Sequence, residues 1–133
     1  MIYQEITGDV IGCATEVHRT LGPGFQEYFY QRALEIELNK RKIKNAPEFE
    51  IKILYKGEYI ALRRVDFLVN DIITIEIKAK AELDDVHLAQ AINYLEASHY
   101  PIGLLINFGA KSLQFKRLYN KKSSENQIQS NES

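Results

Sequence analysis

The 133-residue sequence predicts an α/β fold in which a mixed sheet of about five strands is flanked by helices. Apolar residues recur at helical spacing in two N-terminal segments and again after residue 84, whereas they alternate with a period of two from residue 47 onward. A compact apolar run, IGLLINF at 102–108, follows the third helical segment, as is typical of a fully buried strand. The predicted order is α-α-β-β-β-α-β-β within a single domain of residues 1–120.

Two helices separated by a glycine-proline break are predicted at the N-terminus. The first covers residues 3–20, and Leu21-Gly22-Pro23-Gly24 ends it. The second runs from about Phe25 to Arg41. Its predicted core row consists of Phe29, Ala33 and Ile36. Glu27 is placed at the border of the buried face because it shares a strip of the helix with Tyr30.

The remaining elements are predicted from the spacing of the apolar residues, which changes from a helical period to a period of two at residue 47. Strands are predicted at 47–55, 59–69, 73–80, 101–108 and 113–119, with a helix at 84–98. Lys56-Gly57-Glu58 is typical of a hairpin turn, and Asp84 or Asp85 is expected to cap the third helix. The polar tail from Lys121 has little to bury and is predicted to be disordered.

Composition narrows the classes of function. The net charge is −1, lower than is usual for a protein that grips duplex DNA by itself. Cys13 is the only cysteine, which excludes a disulfide framework and a cysteine-based zinc site and fits a cytoplasmic location. No apolar run approaches the roughly 20 residues of a membrane span, so we expect no membrane partner.

Charged residues in and beside the isoleucine-rich third strand require an explanation, because charge in a sheet core is costly unless it is paired or binds a metal. A two-residue turn after Val69 would place apolar side chains opposite charged ones. A three-residue loop at 70–72 instead pairs Val69 with Ile73, Phe67 with Ile75 and Val65 with Ile77. The same register pairs Asp66 with Glu76 and Arg64 with Lys78.

This register predicts two facing carboxylates, with Cβ atoms about 4.5–5.5 Å apart. Such a pair is destabilising unless a cation such as Mg²⁺ or Mn²⁺ neutralises it. Lys78 lies two residues from Glu76 on the same face, where it can reach a metal-bound water or a phosphate. The alternative is a surface ion pair between Glu76 and Lys78, with Asp66 as a charge at the end of a strand.

The segment Val65-Asp66, nine residues and then Glu76-Ile77-Lys78 resembles the signature of the PD-(D/E)XK nuclease superfamily, with valine in place of the proline. The segment from Gly24 to Tyr30 fits G-x-x-E-x-x-Y, with Glu27 as its acidic residue. Together with Val17-His18 and the LGPG break, it resembles the small bacterial and archaeal GxxExxY proteins over about residues 3–119.

The resemblance implies a restriction-endonuclease-like core in which Asp66 and Glu76 bind Mg²⁺ and Lys78 assists hydrolysis. It also implies that Glu27 adds to the metal site, against the alternative of a buried carboxylate bonded to amides. Gln90 and Tyr94 match a glutamine-tyrosine pattern of exonuclease-like branches and are predicted to bind substrate. Their alternative is a polar flank beside a packed helix face.

The leading hypothesis is therefore a Mg²⁺-dependent phosphodiesterase that cleaves nucleic acid, with DNA favoured. The alternative is a non-catalytic module of nuclease fold that binds nucleic acid or a protein partner. A homodimer or a separate subunit would supply the surface that so small a chain lacks. His18 is interpreted as a structural histidine bonding a loop carbonyl, in preference to a base, and the aromatic residues Tyr28, Phe29 and Tyr30 as core.

Overall fold

Three helices and five strands follow one another along residues 2–123, the part of the chain that the computed structural model describes. The helices are α1 (Ile2–Leu21), α2 (Glu27–Lys40) and α3 (Asp85–Glu96). The strands are β1 (Asn45–Tyr55), β2 (Glu58–Val69), β3 (Ile73–Lys78), β4 (Ile102–Asn107) and β5 (Gln114–Tyr119). The predicted order of elements is confirmed.

The strands form one mixed sheet in the spatial order β1-β2-β3-β4-β5. All neighbours are antiparallel except β3 and β4, which are parallel. A parallel pair needs a crossover connection, and α3 supplies it. Asp84 caps α3, as expected, by accepting a hydrogen bond from the His87 amide at 2.8 Å.

Helices α1 and α2 cover one face of the sheet, and α3 covers the other. The first face holds the larger core, to which β3 contributes Ile73, Ile75 and Ile77. All six residues of β4 are buried, as its continuous apolar run predicted.

The buried side of α2 differs from the prediction. Its core row is Tyr30, Leu34 and Leu38, whereas Phe29 is 50% exposed and Ile36 57% exposed. Ala33 is half-buried at the edge of the core. Tyr28 is also exposed, so of the three aromatic residues expected in the core only Tyr30 is there. Because α2 carries apolar residues on two sides, its spacing alone did not identify the side that meets the sheet.

The β2–β3 hairpin has the predicted three-residue loop. Val69 pairs with Ile73 and Phe67 with Ile75. Asn70 and Asp71 both have positive φ, at 53° and 59°, a conformation that Asn and Asp tolerate better than most residues. The loop closes through a 3.0 Å hydrogen bond from the amide of Ile72 to the carbonyl of Val69.

Beyond β5, Asn120 is buried, and its side chain accepts a hydrogen bond from the Lys122 amide at 2.9 Å. Ser123 is buried as well. The rest of the predicted disordered tail, residues 124–133, lies outside the described residues. Among residues 2–123, no helix combines the length and apolar character needed to cross a bilayer.

Candidate active site

The candidate site lies where the paired β2–β3 ladder ends. The ladder runs from Val69–Ile73 to Phe67–Ile75. Asp66 is the residue before Phe67 in β2, and its side chain makes the next hydrogen bond between the two strands. Its Oδ2 accepts a 2.7 Å hydrogen bond from the main-chain amide of Ile77. On the other side, the side-chain amide of Gln31 on α2 donates to the main-chain carbonyl of Asp66 at 3.5 Å. Asp66 is thus held between β3 and α2.

The side chains of β2 change faces at Asp66. Phe67 packs in the core under α1 and α2, whereas Val65 packs with Ile51 on the face that α3 covers. In a regular strand these two positions would share a face. The break coincides with Glu48 of β1, whose φ is +51° and which lies between the Pro47–Phe67 and Phe49–Val65 pairs.

Three sequence-based pairings are absent from the ladder: Asp66 with Glu76, Val65 with Ile77 and Arg64 with Lys78. Asp66 instead bonds the main-chain amide of Ile77 through its side chain. Val65 does not pack opposite Ile77, because it lies with Glu76 on the α3 side. Arg64 does not face Lys78; it points to the surface and pairs with Glu48 at 3.5 Å. The extrapolation failed because it assumed regular alternation through Asp66.

Three charged side chains act on Asp66, which is half-buried. Burial raises the pKa of the Asp66 carboxyl group above 3.8, and the charges of Glu27 and Glu76 raise this pKa further. The hydrogen bond from Ile77 and the ammonium group of Lys78 lower it. The structure thus brings Glu27, Glu76 and Lys78 within electrostatic reach of Asp66.

Glu76 is turned toward an arginine that the sequence had not identified. Its carboxylate forms an ion pair with Arg63, and the side chains are only 15% and 22% exposed, respectively. The guanidinium carbon of Arg63 lies 4.0 Å from the ring centroid of Tyr94 on α3. These three residues line a small cavity together with Thr74 and Val65.

The donor set fits a hard divalent cation by its chemistry, because carboxylate oxygens are the ligands that Mg²⁺ prefers. Within residues 2–123, however, no three Asp, Glu, His or Cys side chains are already arranged as a metal-ligand group. The ion pair with Arg63 is one reason for the absence of such a group, because Oε1 of Glu76 already contacts the guanidinium group. Asp66, Glu76 and Glu27 are thus ligands of suitable type that are not drawn together around one point.

Lys78 is the last residue of β3, and the chain just after it is fixed by Asn107. The two residues pair across the parallel strands, and the Lys78 carbonyl accepts a 2.9 Å hydrogen bond from the Phe108 amide. Asn107 is fully buried and bonds both the amide and the carbonyl of Lys80 at 2.9 Å. The sequence analysis did not assign a role to Asn107, although it is the only polar side chain in the IGLLINF run.

The G-x-x-E-x-x-Y residues have separate roles in the loop before α2. Gly24 has φ +113°, a conformation that suits glycine. The Tyr30 hydroxyl donates to the Gly22 carbonyl at 2.6 Å and accepts from the Phe25 amide at 3.2 Å. The Tyr30 ring stacks on Phe108 at 4.7 Å. Gly24 and Tyr30 thus fix the conformation of the loop. Glu27, the acidic residue of the motif, is the first residue of α2.

Glu27 is exposed, so its predicted place at the border of the buried face is wrong, as is the alternative of a buried carboxylate. The reason is its position at the start of the helix, where the chain has not yet reached the core that Tyr30 enters. Gln90 is exposed on α3, whereas Tyr94 is half-buried against Arg63. His18 bonds the Ala110 carbonyl at 2.9 Å, which agrees with its structural interpretation.

A family model described as the PD-(D/E)XK nuclease superfamily matches residues 4–118. The match begins within α1 and ends within β5, and the mixed five-stranded sheet flanked by helices is consistent with the expected restriction-endonuclease-like fold. No curated protein and no solved structure matches the chain.

Proposed function

The chain belongs to the PD-(D/E)XK nuclease superfamily, and we propose that it is a phosphodiesterase that cleaves nucleic acid, with DNA as the favoured substrate and Mg²⁺ or Mn²⁺ as its cation. One observation carries the proposal. Asp66 is a half-buried carboxylate whose pKa is raised by burial and by two further carboxylates, and the Lys78 ammonium lies within electrostatic reach of it. Like charges gathered in this way destabilise a fold, and they are typical of functional sites.

Each residue has a distinct role in the proposed reaction. Asp66 and Glu76, with Glu27 as a further ligand, would hold the cation, which when bound lowers the pKa of a water and neutralises charge on the phosphate. The Ile77 amide holds one Asp66 oxygen in place. Lys78 would donate hydrogen bonds to the attacking water or to the phosphate oxygens, where negative charge develops.

We place the chain with the GxxExxY proteins within the superfamily. Support comes from the three motif residues, because Gly24 and Tyr30 form the loop while Glu27 remains available to the site. A reducing cytoplasm is the proposed compartment, since the only cysteine, Cys13, is a buried free thiol.

Substitution of Lys78 by alanine tests the proposal. Loss of a donor at the developing charge should lower the cleavage rate about 100- to 1,000-fold. The assay follows cleavage of single- and double-stranded DNA and RNA with Mg²⁺ or Mn²⁺. The matched control is Lys80→Ala, because the Lys80 side chain is exposed and only its main chain is bonded by Asn107. Full activity of the Lys78 variant, or no cleavage by the native protein, would contradict the proposal.

A non-catalytic module is the second candidate. The net charge of −1 and the pairing of Glu76 with Arg63 favour it, since neither favours a ready phosphate or metal site. In this role the chain would bind nucleic acid or a protein partner, with a homodimer or another subunit supplying more surface. Calorimetric titration with Mg²⁺ separates the candidates. The nuclease should take up the cation and lose this binding in Glu76→Gln, whereas the module should show no specific uptake.

A further inference from the structure

The ion pair between Arg63 and Glu76 occupies the carboxylate that the proposed cation needs. Both side chains are largely buried, and the flat guanidinium group is supported from α3 by the Tyr94 ring. A cation near an aromatic face is attracted by the ring quadrupole, and the attraction grows as water is removed. Arg63 is therefore held at Glu76 from two sides.

We infer that Arg63 is a positioning residue that competes with a divalent cation for Glu76 and so sets the cation concentration at which the site assembles. The inference rests on the proposed function of the site. A carboxylate oxygen that bonds a guanidinium group is less available as a metal ligand, and two cations side by side repel each other. Binding of Mg²⁺ or Mn²⁺ at Glu76 must therefore displace Arg63 from the carboxylate or proceed against its charge.

The neighbouring arginine shows that the arrangement is specific. Arg64 is 65% exposed and pairs at 3.5 Å with Glu48, which is itself exposed. Such a surface pair is weak because water screens it. Arg63 lines the cavity and is only 22% exposed, so water screens its pairing with Glu76 less. The two adjacent arginines thus differ in environment and provide a matched comparison.

The test is a titration of the full chain with Mn²⁺. Binding is measured by calorimetry and, independently, by the loss of the electron paramagnetic resonance signal of free Mn²⁺. Arg63→Gln should bind Mn²⁺ about tenfold more tightly, because it leaves the Glu76 carboxylate without its counter-charge. Arg64→Gln should bind like the native protein. A purely structural role for Arg63 would weaken binding or leave it unchanged.

Changes at Tyr94 give a graded second test that keeps Arg63 in place. Tyr94→Leu removes the ring face and should tighten Mn²⁺ binding about two- to fivefold. Tyr94→Phe retains the ring and should leave the affinity unchanged. Arg63→Met, which keeps an unbranched apolar chain at this position, replaces Arg63→Gln if that variant does not fold, as judged by circular dichroism.

The results separate this inference from the proposed nuclease function. Tighter Mn²⁺ binding by the Arg63 and Tyr94→Leu variants supports the competition, even if no protein cleaves nucleic acid. Unchanged or weaker binding by folded Arg63 variants overturns it, even if Lys78→Ala confirms the nuclease. The absence of Mn²⁺ binding by both the native protein and the Arg63 variants also overturns it.

Discussion

Replacement of Asp66 by asparagine is expected to abolish cation-dependent cleavage and, without cation, to raise the midpoint of thermal unfolding. Asparagine keeps an oxygen that can accept the hydrogen bond from the Ile77 amide. It removes a half-buried negative charge that the charges of Glu27 and Glu76 disfavour. Activity and stability should therefore change in opposite directions, as is common where a site carries groups that the fold alone would not favour.

The expected dependence on pH follows from the raised pKa. The folded state holds the Asp66 proton more tightly than the unfolded state, in which the pKa is near 3.8. Ionised Asp66 therefore destabilises the fold, and this destabilisation grows as the pH rises from 3.8 through the folded-state pKa. The advantage of the asparagine variant should be complete once the pH exceeds the folded-state pKa and should shrink as the pH falls toward 3.8.

Thermal melts followed by circular dichroism, with and without Mg²⁺, measure both effects. The native protein should gain stability with Mg²⁺ because a ligand that binds only the folded state shifts the equilibrium, whereas Asp66→Asn should not respond. Asp71→Asn is the control, since Asp71 is 69% exposed and pairs with Lys44 at the surface. If Asp66→Asn melts at a lower temperature than the native protein at neutral pH without cation, the charge of Asp66 does not destabilise the folded state.

The limits of sequence-based prediction are clear along β2. Apolar matching correctly predicted the register from Val69–Ile73 to Phe67–Ile75, because a slip by one residue would move a whole apolar face into water. It failed at Asp66, where the side chains of β2 change faces. The alternation rule carries no information about this break, which coincides with a positive φ at Glu48 on the neighbouring strand.

The candidate site was predicted in part for a similar reason. Asp66, Glu76 and Lys78 stand out because charges interrupt an apolar pattern, and the structure brings Glu76 and Lys78 within electrostatic reach of Asp66. Arg63 carries no comparable signal, since two adjacent arginines look equivalent until the strand geometry directs one to Glu76 and the other to the surface. Asn107 was detectable only as a polar residue within an apolar run.

Replacement of Gly109 by alanine is expected to destabilise the fold by about 3 kcal/mol, since overpacking against main chain leaves little room for adjustment. Gly109 follows β4 and lies against the chain that leaves β3. A β-carbon at Gly109 would lie inside van der Waals contact of the Lys80 amide nitrogen and carbonyl oxygen, and 2.5 Å from the carbonyl carbon of Ala79. These are backbone atoms, which cannot turn aside as a flexible side chain can.

The crowded segment directly follows Lys78, so the change should also affect catalysis. Asn107 bonds the amide and carbonyl of Lys80, and its Oδ1 also accepts from the Gly109 amide at 3.2 Å. A shift that relieves the clash would strain this network and move the end of β3. Below the melting transition, where Gly109→Ala is still folded, its cleavage rate should fall by more than the loss of folded protein explains.

Gly8→Ala is the matched control, because a β-carbon at this exposed position of α1 would meet nothing within 4 Å. Alanine in a helix is favoured over glycine by roughly 0.5–1 kcal/mol, so this variant should be slightly more stable than the native protein. Gly109→Ala should melt about 10 °C lower, given the usual relation between unfolding free energy and midpoint for a domain of this size. Equal melting temperatures of the two variants would mean that the main chain after Lys78 can move without cost. Asn107 and Gly109 would then not hold Lys78 in place.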